Sequence, residues 1–173
     1  MLKNFAKTRV LNKQLAKALA QESLPVFEGV IKKVLILAPN DAPKFQDQFK
    51  ELHIGLGLEA KDVHLLHFKA KIQKKEERPF NVITPMQFNR KGQIDGSFAP
   101  FDPKLKYDLV IAYCEAPDQY LNSIVINQQS AFKVGLMGNH EQLFHFILNT
   151  KTAQFDLFIA ELLRYLRILK YIA

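Results

Sequence analysis

The chain has one cysteine, no tryptophan, and only seven glycines in 173 residues. The lone Cys114 cannot close an internal disulfide, and without a disulfide framework an intracellular, cytoplasmic protein is expected. No apolar run reaches the roughly 18 residues that a spanning helix needs, so no transmembrane segment is expected. The N-terminus carries lysines without the apolar stretch of a secretory signal. Acidic residues are missing from the start: Lys3, Lys7, Arg9, Lys13 and Lys17 all precede the first acid, Glu22. Glycine is scarce where a phosphate loop would need it, and that absence excludes more than any other.

What is present suffices for one sizeable core. The chain is 48% hydrophobic, and at this length about 70% of the unfolded surface is buried on folding. Tandem repeats are not visible. The expected organisation is a basic helical extension over residues 1–22 followed by a single α/β domain over residues 30–173. Net charge is +7. The charge is uneven enough to point to an anionic partner, RNA or a ribosome before an anionic lipid surface, although plain solubility also explains it.

Residues 2–21 read as an amphipathic helix. Leu11, Leu15 and Leu19 fall on one side and the five basic residues on the other. The plain reading is a docked helix with a solvated basic face; the sharper one is a helix laid on nucleic acid or lipid. Pro25 and Gly29 break the chain before Val34–Ala38, a continuous apolar run that suits a parallel strand buried on both faces. A helix is expected from Pro43 to about Gly55, with Asp41 as cap, Phe45, Phe49, Leu52 and Leu56 inward, and Gly55 and Gly57 closing it. Nucleotide-binding α/β proteins place GxGxxG or GxxxxGK[ST] after such a strand, because the backbone must approach the phosphates. Here the loop is Pro39-Asn40-Asp41-Ala42-Pro43: proline removes a donor and aspartate repels phosphate. A standard mono- or dinucleotide site is excluded, and no cofactor is expected.

Val63–Phe68 is the next strand. His64 and His67 point to opposite faces of it and cannot share a metal. The basic connection Lys69, Lys71, Lys74, Lys75 and Arg78 reads as a solvated segment, or as an extension of the basic surface. Asn81–Thr84 suggests a short strand. The irregular stretch 85–103 carries Met86, Phe88, Phe98 and Phe101 beside Arg90 and Lys91. Those aromatics either pin the segment to the body or form a stacking surface.

The segment Tyr107–Gly135 runs strand (Leu109–Cys114), helix (Pro117 to about Gln129) and strand (Phe132–Met137) without pause. This is the grammar of a parallel α/β fold. Its first crest, Tyr113-Cys114-Glu115-Ala116-Pro117, offers Glu115 and Asp118 as the weak catalytic candidates; both also suit a helix N-terminus. Cys114 reads as a small buried hydrophobe rather than a nucleophile. His140 and His145 are one residue too far apart for the zincin spacing, and Gly138-Asn139 marks a turn, so no metal site is assigned. A last strand over 145–150 is expected to pair antiparallel or lie at an edge, since its connection is short. Ala153–Tyr171 is an amphipathic helix with Phe155, Phe158, Ile159, Leu162, Leu166 and Leu169 inward.

The succession YDLVI, helix, SAFKVGL, turn, HFILN and FDLFIAELLRYLRIL resembles a Bacteroidota family of about this length that carries a domain of unknown function. That resemblance spans most of the chain, but supplies no catalytic residue. The DLVI strand leading through a helix to a VG strand is also similar to the first half of heptosyltransferase-type glycosyltransferases. This chain lacks their second nucleotide-sugar domain, so that likeness implies fold kinship alone. The fold expected is a three-layer, mostly parallel Rossmann-like sheet of five or six strands. The function expected is a non-enzymatic binding module with a basic surface. The alternatives are a small α/β enzyme or ligand-binding protein at Glu115, and a structural, protein-partner or peripheral-membrane subunit held through residues 1–20.

Overall fold

The structure, a computed structural model, describes residues 2–39, 46–70, 81–94, 104–129 and 131–173. Among these residues six strands form one sheet: β1 (Val34–Pro39), β2 (Val63–Phe68), β3 (Val82–Ile83), β4 (Leu109–Ala112), β5 (Phe132–Leu136) and β6 (Phe146–Leu148). Their spatial order is β3-β2-β1-β4-β5-β6, and every neighbouring pair is parallel. Four helices among the described residues cover it: α1 (Leu2–Leu19), α2 (Gln46–Leu56), α3 (Gln119–Asn127) and α4 (Phe155–Ile168). The architecture is a three-layer Rossmann-like α/β fold. Right-handed crossovers run outward in opposite directions from β1 and β4, so they place α2 and α3 on opposite faces.

Alternation along the strands divides the core in two. Leu35, Leu37, Val110 and Ala112 pack with α1 and α3. Val34, Ile36, Leu109, Ile111 and Val134 pack with α2 and α4. Both faces are covered, which is why the central strands read as continuous apolar runs. Under α2 and α4, Phe49 meets Tyr113 at 5.0 Å and Phe155 at 4.9 Å, both edge-on. In the first helix, Leu11 and Ala18 are buried while Leu15 and Leu19 pack at the margin of the same core. The stripe expected for α1 therefore closes on its own domain. Thr8 meets Gln119 and Gln14 meets Ser123, so α1 and α3 run side by side in the same direction.

Three expectations change in detail. β6 lies at the edge, but parallel: a 3-10 turn, Glu141–Leu143, replaces a crossover helix and buries Leu143 and Phe144 against the α1 side. Gly57 (φ +69) closes α2, with Leu58 N–H bonded to the His53 carbonyl, whereas Gly55 lies within the helix. A Cβ on Gly55 would stand 2.8 Å from Leu163, so that glycine lets α2 and α4 approach. Leu169 is exposed rather than buried, because α4 ends at Ile168 and Lys170 turns left-handed (φ +60). Asp41, Pro43 and Phe45 lie outside the described residues.

Candidate functional site

In an open parallel sheet the ligand crevice opens where strand order reverses, here outside the C-terminal ends of β1 and β4. The β4 crest is tied down. Asn139 Nδ2 donates to the Cys114 carbonyl (2.7 Å) and to the Leu136 carbonyl (2.8 Å). Gly138 (φ +95) lies so close to the crest that a Cβ there would stand 2.3 Å from the Glu115 carbonyl oxygen. Tyr113 donates its hydroxyl to the Thr152 carbonyl at 2.6 Å. The turn between β5 and β6 and the turn before α4 thus hold the crest from two sides.

The two carboxylates proposed from sequence are both committed. Glu115 Oε1 accepts from the Thr152 N–H and the Thr152 hydroxyl, each at 2.8 Å. The backbone bond from Thr152, and then the hydroxyl bond, lower the Glu115 pKa. That shift is opposite in direction to the one a carboxylate base working near neutrality needs. Asp118 is the N-cap of α3, accepting from Tyr120 N–H at 2.8 Å. Cys114 is buried, and burial pushes its thiol up to about 12, so it is a packing residue.

The basic candidates separate into two groups. The side chain of Lys3, and Lys71, Lys74, Lys75 and Arg78, lie outside the described residues. The others lie on α1 and on a turn that packs against it. On the α1 wheel Gln14 falls between the buried stripe and the basic side. Its Nε2 donates to the Lys91 carbonyl at 3.0 Å, and Gly92 packs against Leu11. This seats the turn 89–92, with exposed Arg90 and Lys91, against α1 at Leu11 and Gln14, and the same helix exposes Arg9, Lys13 and Lys17 elsewhere on its surface. Lys7 is half-buried and donates to the Pro85 carbonyl at 3.3 Å. Among the described residues no ion pair engages Arg9, Lys13, Lys17, Arg90 or Lys91; the pairs found join Lys50 to Asp47, Lys61 to Glu59 and Arg164 to Glu161.

The aromatic segment pins the loop. Phe88 is buried edge-on against Tyr120 with ring centres 4.8 Å apart, while Met86 is exposed. Phe98 and Phe101 lie outside the described residues. Two of the histidines, His64 and His145, carry structural bonds. His64 bonds Tyr107 and the Lys61 carbonyl; His145 accepts the Lys133 N–H at Nδ1 (3.0 Å) and bonds the Pro25 carbonyl through Nε2 (2.8 Å).

Sequence reasoning passed over Lys133. It is the second residue of β5 and is only 4% exposed. A lysine alternating with Phe132 and Val134 inside an apolar parallel strand is the signal that finds it. Burial lowers its amine pKa to about 8.

Fold and crest together define a Rossmann-like parallel α/β protein whose β4 strand end is occupied by the chain's own turns. A family model, the family of unknown function DUF6913, matches residues 7–169, and the chain belongs to that family. Comparisons with curated proteins and with solved structures gave no match. Among the described residues, no helix is long and apolar enough to cross a membrane.

Proposed function

We propose that the protein is a binding module that engages an anionic partner, RNA foremost, through the surface formed by α1 and the 89–92 turn. The observation that carries this reading is the seating of the 89–92 turn, with Arg90 and Lys91 exposed, against α1, a helix that also exposes Arg9, Lys13 and Lys17. These five cations come from distant parts of the chain, and none is neutralised by an acid among the described residues. Affinity for a phosphate backbone arises from such cations through counterion release. A lipid surface fits less well. An interfacial helix buries its apolar face in the bilayer, and α1 spends its apolar stripe on its own core. The committed state of Glu115 and Asp118 argues against catalysis at the crest.

Filter binding of single-stranded RNA across a salt series tests the reading. Affinity is expected to fall steeply with salt, with a log–log slope of about −0.7 per phosphate neutralised. Reversing Lys13, Arg90 and Lys91 to glutamate is expected to weaken binding at least about tenfold and flatten that slope. Absence of RNA retention at low salt would reject the proposal, and binding to anionic vesicles instead would favour a lipid surface.

A further inference from the structure

At the N-terminal edge of β5, α1, α3 and the segment after α1 enclose a cavity of about 380 Å³, within the usual size range of small-molecule sites. Lys133 lines it and reaches it from the floor, since the alternation that turns Phe132 and Val134 toward α2 and α4 turns Lys133 toward α1 and α3. Among the described residues no hydrogen bond or ion pair engages its ammonium, and desolvation is the only influence resolved on it. The residue is 4% exposed, and its nitrogen opens into the cavity instead of being sealed in the core. Its backbone N–H, by contrast, is fully used by His145.

The rest of the lining fits one kind of guest. Lys17 supplies a second cation from α1, and among the described residues no carboxylate lines the cavity. Gln21, Asn127 and Gln129 bring amide groups to the rim. Leu24, Ile126 and Leu143 form an apolar wall. Both α1 and α3 end at this cavity, and the partial negative charge of their C-termini favours the two ammonium groups but opposes an anion, so an anionic guest must be held by Lys133 and Lys17 and by the apolar wall. That field satisfies none of the donors on the Lys133 nitrogen.

We propose that this cavity binds a small organic oxyanion, a carboxylate or phosphate on an apolar body, with Lys133 and Lys17 as its cationic contacts. The proposal goes beyond the polyanion surface; Lys17 belongs to both, and variants at Lys133 and at Arg90 and Lys91 tell the two apart. The charged and titratable groups facing Lys133 are Lys17 from α1 and His145 at the start of β6.

Isothermal titration calorimetry on the full chain at pH 8 and fixed ionic strength tests it, with benzoate, phenyl phosphate and inorganic phosphate as probes. One-to-one binding of benzoate or phenyl phosphate is expected, at least about tenfold tighter than inorganic phosphate; which of the two binds better identifies the headgroup. An anion beside Lys133 favours its protonated form, so binding at pH 8 takes up a proton and the measured heat depends on the buffer's ionisation enthalpy. A purely structural lysine would not produce that dependence. Lys133→Met is expected to fold, because an unbranched apolar side chain replaces a largely buried one, and to lose more than about tenfold in affinity along with the proton uptake. Lys17→Gln, a surface change, is expected to weaken binding severalfold and serves where Lys133→Met does not fold. The pair Arg90→Glu and Lys91→Glu is expected to leave anion binding unchanged. No heat with either organic anion, or undiminished binding in both lysine variants, would overturn the proposal.

Discussion

His145 links three segments through one ring: Nδ1 accepts the Lys133 N–H and Nε2–H donates to the Pro25 carbonyl. That pairing requires the neutral ring, because a proton on Nδ1 would displace the Lys133 bond. Burial, aided by the charge of Lys133, lowers the His145 pKa despite the bond to Pro25. The unfolded chain therefore takes this proton first as pH falls. Stability from His145 is full above the ordinary value of 6.5 and is lost as pH drops from there through the lower folded value. Urea midpoints measured from pH 7.5 to 5 should fall in the wild type and fall less in His145→Gln; parallel curves would refute the assignment. Gly138 makes a second local claim. A side chain there meets the Glu115 carbonyl and an unfavourable backbone angle together, so Gly138→Ala is expected to cost about 2 kcal/mol or more, read as a lowered Tm. In the sequence the pair Gly138-Asn139 announced a turn. That the turn clamps the β4 crest was not visible there, because Cys114 and Glu115 meet it only across the sheet.

The helices were legible where periodicity was strong. The buried faces of α2 and α4 match their apolar spacing through Phe49, Leu52, Phe158, Leu162 and Leu166. Ends were less legible, since they depend on backbone dihedrals rather than on spacing. The end of α4 is an example. Tyr171 N–H bonds the Leu166 carbonyl and Lys170 N–H bonds the Arg167 carbonyl, the two closing bonds of a left-handed cap. Lysine occupies the position where glycine is favoured, and so Leu169 turns outward while Ile172 returns to the core. Lys170→Gly is expected to raise stability by about 0.5 to 1 kcal/mol, measured by chemical denaturation. A loss of stability would mean that the lysine side chain contributes more than its backbone strain costs. The direction of β6 was hidden for a related reason: a short connection usually signals antiparallel pairing, but the 3-10 turn buries Leu143 and Phe144 and carries the strand round in parallel.

Folding and the proposed recognition use different sides of the same elements. α1 turns Leu11 and Ala18 inward and Arg9, Lys13 and Lys17 outward. Charge reversal at Lys13, Arg90 and Lys91 should therefore leave stability within about 0.5 kcal/mol per site while removing polyanion binding. A large fall in Tm in that variant would show the basic surface to be structural. Apolar runs, proline positions and charge asymmetry were enough to specify a parallel α/β fold, the lack of a glycine phosphate loop and the basic character of α1, because each is a property of neighbours along the chain. Tertiary structure alone decided that the 89–92 turn seats against α1, how Thr152 and Gly138 close the β4 crest, and that Lys133 faces a cavity without a partner among the described residues. Those depend on contacts between residues far apart in the chain, and only packing across the sheet brings them together.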